Sequence, residues 1–146
     1  MEQSAVGKVV VQASIENLSD LYQAERGSIA PEQVRKIEVR DALIDTGATM
    51  LSLPGSLIAQ LGLAKRKTRR VRTANGIREA GVYDAVRLSI QGRDCVIDVA
   101  DIPDTCPVLI GQAPLELMDW VVDPVGQRLI GNPEHNGEWM GEMFVS

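Results

Sequence analysis

Ala42, Leu43 and Ile44 end an extended apolar run, and Asp45 follows at once, with Thr46, Gly47, Ala48 and Thr49 behind it. A carboxylate at the end of an apolar strand is costly unless hydrogen bonds or a chemical role compensate. Gly47 permits close backbone approach, Thr46 sets a hydroxyl beside the acid, and Thr49 is of a type that bonds back to its local backbone. The product is a carboxylate held among N–H donors. Alone it does limited chemistry, but two carboxylates sharing one proton act as acid and base together. The sequence contains Asp-Thr-Gly once, so a pair requires a second copy of the chain across a twofold axis. Taken by themselves, the same residues also suit a plain turn cap.

Other chemistries find less support. His135 is the only histidine; it stands in a polar turn, leaves no multi-histidine metal site and no serine triad, and is assigned no role. Cys95 and Cys106 have neither zinc-type spacing nor the number for a disulfide framework, and are read as reduced thiols. No cofactor or metal is implied. Lys65, Arg66, Lys67, Arg69, Arg70 and Arg72 form a basic stretch, but no aromatic residue is interleaved for base stacking and the net charge is −5. A solvated strand face is the preferred reading over a nucleic-acid patch. Asp84 and Asp98 are expected to face solvent from their strands.

The elements that must position Asp45 follow from hydrophobic periodicity. At 146 residues, with 45% hydrophobic and 24% charged residues, the chain suits a single domain, residues 1–146. Alternation predicts strands at 8–16, 34–45, 82–90 and 95–103. Gln91 to Asp94 reads as a tight turn between the last two, and 120–130 as strand, turn, strand. Only two short helices are expected. One is "PGSLIAQLG", 54–62, opened by Pro54 and closed by Gly62 in a left-handed position; the other is "APLELMDW", 113–120. Residues 24–33 read as a surface loop and 131–146 as a loose tail. Trp139 and Phe144 in that tail leave three possibilities: packing on the body, joining a dimer sheet, or lying in a cleft as an inhibitory strand. No apolar run approaches the roughly 20 residues of a membrane span, and the N-terminus lacks signal-peptide features, so a cytoplasmic protein is expected.

"ALIDTGAT", 42–49, resembles the active-site loop of aspartic proteases, specifically the retroviral type that works as a homodimer. "RTANGIREAGV", 72–82, resembles the flap of that family: Asn75-Gly76 between extended arms favours a type I′ turn, and Ala74, Asn75, Gly76 and Ile77 would form its tip. "CPVLIGQAPLELMDW", 106–120, resembles the second family signature, with Leu109, Ile110 and Gly111 at its centre. The resemblance spans about residues 37–130. Thr49 stands where the retroviral enzymes often carry an acidic residue, and Gln112 where they often carry a basic one.

The resemblance implies an all-β, closed-barrel-like acid protease (retropepsin-like) fold with one or two short helices. It implies a homodimer that cleaves extended peptides, each subunit donating Asp45. The paired carboxylates would lie about 3 Å apart and share one proton. Thr46, Gly47, Ala48 and Thr49 would support the loop. Neither nucleic acid nor membrane is an expected partner. The competing reading is a catalytically idle, protease-like dimeric module that binds peptides without cutting them.

Overall fold

The computed structural model describes residues 8–73 and 75–141. Among these described residues, nine strands and three α-helices follow in the order β1 (Val10–Asn17), α1 (Leu18–Glu25), β2 (Lys36–Ile44), β3 (Leu51–Pro54), α2 (Gly55–Leu61), β4 (Lys65–Thr73), β5 (Gly76–Ile90), β6 (Arg93–Ile102), β7 (Leu109–Ile110), α3 (Gln112–Leu117), β8 (Trp120–Asp123) and β9 (Arg128–Gly131). Strands β1 to β7 form one sheet in spatial order β1-β2-β7-β3-β6-β5-β4, and β1 also pairs with β5. Six strands thus make a ring, from which β4 projects on the arm of β5. The mainly β class expected from the sequence is borne out, in the form of this ring-like mixed sheet. It combines antiparallel pairings with two parallel ones, of β2 with β7 and of β3 with β6.

The ring encloses the core. Val9, Val11, Ala13 and Ile15 are buried along one face of the first strand, as their alternation predicts. They meet Leu51, Leu53, Leu61, Leu88 and Ile110, each fully buried. Burying such a side chain stabilises by about 1.5–3 kcal/mol. The first strand, which the family resemblance left unplaced, closes the ring by pairing with β2 along one edge and β5 along the other. Gln91 (φ 51°) and Gly92 (φ 88°) make the β5–β6 turn, with Ile90 opposite Arg93. Two consecutive positive φ values characterise the mirror-image turn that matches strand twist.

Helix α1 departs from the sequence reading, which held two helices and a loop from residue 24. Its apolar spacing is weak, and Tyr22 remains half-exposed. A cap and an ion pair hold it instead. Asn17 accepts from Asp20 N–H at 3.0 Å while its own amide donates to Leu61 O at 2.7 Å. Asp20, buried, accepts from Arg35 Nε at 2.8 Å, Arg35 Nη2 at 3.0 Å and Arg35 N–H at 3.0 Å. The Arg35 hydrogen bond is the chief reason the Asp20 carboxyl lies below the usual carboxylate range; burial pushes the other way and loses. The expected loop is partly ordered, with a short 3-10 turn at Pro31–Gln33.

Helix α2 follows expectation. Pro54 precedes it and Gly62 ends it at φ 68°, with Leu63 N–H bonded back to Ile58 O. A Cβ on Gly62 would lie 1.8 Å from Arg35 Nη1, so the same arginine that holds α1 also requires this glycine.

The tail is not loose through residue 141. Asp119 accepts from His135 Nδ1 at 2.6 Å, Asn132 Nδ2 at 3.1 Å and Met140 N–H at 3.1 Å. Arg93 donates to Met118 O, Asp119 O and Gly137 O, and its guanidinium lies 4.0 Å from the Trp120 ring centre. Trp139 Nε1 donates to Leu117 O at 3.2 Å, so the described part of the tail packs on the body. His135, to which the sequence assigned nothing, is thus part of this clasp. Its ring is the main reason the Asp119 carboxyl stays below its ordinary range. Phe144 lies outside the described residues.

Candidate active site

The turn bearing Asp45 is built by three strands from distant parts of the chain. β2 delivers Asp45 and β3 carries the chain away. β7 slots between them, parallel to β2 (Leu43 opposite Leu109, Ile44 opposite Ile110) and antiparallel to β3 (Leu51 opposite Ile110). Asp45 N–H donates to Ile110 O at 2.9 Å, and Ala48 N–H closes the turn on Asp45 O at 3.0 Å. The Asp45 carboxylate accepts from Gly47 N–H at 3.1 Å. It stands half-buried, while Thr46, Gly47 and Thr49 are exposed and Ala48 is half-buried. The turn therefore opens outward from a rigid base.

Gly111 fixes that base. Its N–H donates to Met50 O at 3.0 Å, and the next two N–H groups, of Gln112 and Ala113, donate to Ala48 O at 2.9 Å and Thr49 O at 3.0 Å. A Cβ on Gly111 would meet Met50 O and the Thr49 carbonyl carbon at 2.6 Å. Backbone crossing this close excludes every residue but glycine. Leu109, Ile110 and Gly111 thus sit directly under the Asp45 turn, and α3 begins immediately after them.

The arm formed by β4 and β5 carries the expected tip. Thr73 pairs with Gly76 (φ 110°) at the end of the ladder. The placement follows from ladder register, which local turn chemistry does not set alone. Ala74 lies outside the described residues. Asn75 is in the turn, and Ile77, opposite Arg72, is among the most exposed large apolar side chains described.

Asp101, which sequence reasoning passed over, anchors the root of this arm. Its carboxylate accepts from Gly81 N–H at 3.1 Å and Tyr83 OH at 3.1 Å, and lies 3.7 Å from Arg78 Nη1. Arg78 Nη2 also donates to Asp101 O at 2.7 Å. Burial first, and then the Asp101 carboxylate, push the Tyr83 phenol above its usual range. Only its place at the end of an alternating strand marked Asp101, and that signal does not separate an anchor from a solvent-facing acid. Asp84, expected to face water, is half-buried and accepts from Ala64 N–H at 2.9 Å and from Arg66. Burial pushes its carboxyl up, but those two donors outweigh it and hold it low. Asp98 is exposed. Cys95 and Cys106 are both free thiols.

The aspartyl protease family profile matches residues 31–113, a span that contains the Asp45 turn, the arm and the β7 strand. Among curated proteins none matches the chain. A carboxylate turn pinned by a strand threaded between its own two flanks, with a hairpin arm between the two signatures, is the arrangement on which that match falls. The chain belongs to the aspartyl protease family.

Proposed function

We propose that the protein is an aspartic endopeptidase that acts as a homodimer, each subunit contributing Asp45 to one shared site. The observation that carries this reading is the rigid, outward-opening turn: Asp45 is held by Gly47 N–H and by β7 from below, with the carboxylate left half-exposed. One chain supplies one such carboxylate, and a twofold axis through the turn brings it against its copy. The ionised member of the pair takes a proton from water, which attacks the peptide carbonyl. The protonated member bonds the carbonyl oxygen and later assists the departing amine. No covalent acyl-enzyme is formed. The arm closing over an extended peptide excludes bulk water and fixes the geometry.

Asp45→Asn tests the reading. It is expected to abolish cleavage of a mixed peptide library, read by mass spectrometry, while leaving the sedimentation profile and circular dichroism unchanged. Wild-type activity is expected to peak at acidic pH, where a single proton is shared. Equal turnover by mutant and wild type, or a strictly monomeric active enzyme, would refute the shared-carboxylate mechanism. Peptide binding without any cleavage by the wild type would leave the idle module in its place.

A further inference from the structure

The arm between the two signatures carries an uncompensated positive face turned toward the body of the protein. Strand register assigns the faces. Lys67, Arg69 and Val71 of β4 lie opposite Val82, Ala80 and Arg78 of β5. Val82 and Ala80 are buried, which marks this side as the inner one. Arg69 Nη1 reaches Met50 Sδ at 3.9 Å, and Met50 is the residue whose carbonyl receives Gly111 N–H beneath the Asp45 turn. Arg78 on the same face is taken up by Asp101. Lys67 and Arg69 remain exposed and have no ion pair among the described residues. The outer face carries Arg70, opposite Glu79 in the ladder, and Arg72, opposite Ile77, and neither is hydrogen-bonded to the Asp45 turn among the described residues.

We propose that Lys67 and Arg69 make the site selective for extended peptides bearing carboxylate side chains next to the bond that is cut. The proposal rests on the endopeptidase reading and names its substrate class. Two exposed cations on one face of the arm, one of which reaches Met50 next to the Asp45 turn, attract acidic side chains and repel basic ones. The chain as a whole carries −5, so the preference arises locally from the arm rather than from the field of the protein. A polynucleotide is the weaker match, because the described residues of β4 include no aromatic on which bases stack.

The test uses three peptides of one sequence that differ only in residues flanking the cleaved bond: Glu, Ala or Lys. Two measurements are made on each, kcat/KM with the wild type and binding to Asp45→Asn by fluorescence anisotropy. Each exposed charge pair is worth a factor of about two to five. The Glu peptide is therefore expected to exceed the Ala peptide by roughly four- to twenty-five-fold, with the Lys peptide last. The preference shrinks as added salt shortens the screening length from about 10 Å at 0.1 M to about 3 Å at 1 M. The Lys67→Glu/Arg69→Glu double variant is expected to invert the order, and Lys67→Gln/Arg69→Gln to erase it. Both positions are exposed, and circular dichroism verifies folding.

Cleavage at equal rates across the three peptides overturns the selectivity and leaves the peptidase reading intact. Binding that follows Glu over Lys and inverts in the double variant, with no cleavage by wild type, does the reverse. No cleavage of any of the three peptides, together with equal binding of all three, removes both. Tighter binding of a single-stranded oligonucleotide than of the Glu peptide, lost in the double variant, assigns the face to nucleic acid and overturns the proposal.

Discussion

Replacing Gly111 by alanine measures how much of the Asp45 turn depends on one close backbone crossing. The added Cβ would lie 2.6 Å from Met50 O, 2.6 Å from the Thr49 carbonyl carbon and 2.7 Å from Thr49 O. All three are backbone atoms, so no side-chain rotation relieves the clash. β7 must retreat from β3, which stretches the bonds from Gly111, Gln112 and Ala113 N–H to Met50, Ala48 and Thr49. Overpacking of this kind costs about 1–3 kcal/mol. Weakening two of those bonds adds about 1 kcal/mol. A total loss of about 2–4 kcal/mol is expected. With a urea dependence of about 2 kcal/mol per molar, the unfolding midpoint falls by about 1–2 M. Tryptophan fluorescence reports it, with both proteins at one concentration because any dimer links stability to concentration. Gly141→Ala is the control: nothing lies within 4 Å of a Cβ there, and a change within about 0.5 kcal/mol is expected. A midpoint for Gly111→Ala within about 0.3 M of the wild type, against the 1–2 M shift expected, would refute the claim that this crossing sets the turn.

Further outcomes follow from the carboxylate clusters and the thiols. Asp101→Asn removes the charge that helps to raise the Tyr83 phenol, so its ionisation, followed by ultraviolet absorbance, shifts to lower pH while the burial contribution remains. Amide exchange in β4 and β5 rises in the same variant, and an unchanged phenol titration would count against Asp101 as the anchor. Asp20→Asn lowers stability at pH 7 by about 1–3 kcal/mol through loss of the charged bonds to Arg35. Because the folded carboxyl sits below its unfolded value of about 3.9, that stability is present above this pH and is lost as pH falls through the folded value. Wild type and variant therefore converge in acid, and a gap that persists there contradicts the assignment. The Cys95 thiol is pushed up to about 11, by burial first and Asp94 second. Iodoacetamide at pH 8 is expected to add one label to the native protein, at Cys106, as read by intact mass and peptide mapping; labelling of Cys95 at an equal rate contradicts its burial.

The features that sequence reading captured are those in which local chemistry and tertiary structure agree. Alternation in 8–16 marked the buried face of β1, and Gly62 marked the end of α2, because each depends on spacing or on φ alone. The Asp45 turn was legible through its apolar lead-in and Gly47. What was missed depends on partners far away in the chain. Helix α1 is held by Arg35, which no helical period reveals, although Asn17 followed three residues later by Asp20 is a capping signal in its own right. Asp101 and Asp119 look like any acid on a strand or turn until Tyr83, Gly81 and His135 are brought to them. The register of the arm is likewise set along the ladder between Lys67 and Thr73, not by local turn chemistry alone.

The two-residue strand β7 has an implication for biosynthesis. Asp45 emerges early, yet its N–H partner is Ile110, and the carbonyls of Ala48, Thr49 and Met50 wait for residues 111–113. A nascent chain that has not reached that point lacks the clamp. The turn that bears Asp45 thus leaves the ribosome before its clamp exists, and assembly of the centre waits until residues 109–113 have followed it out: a delay written into topology.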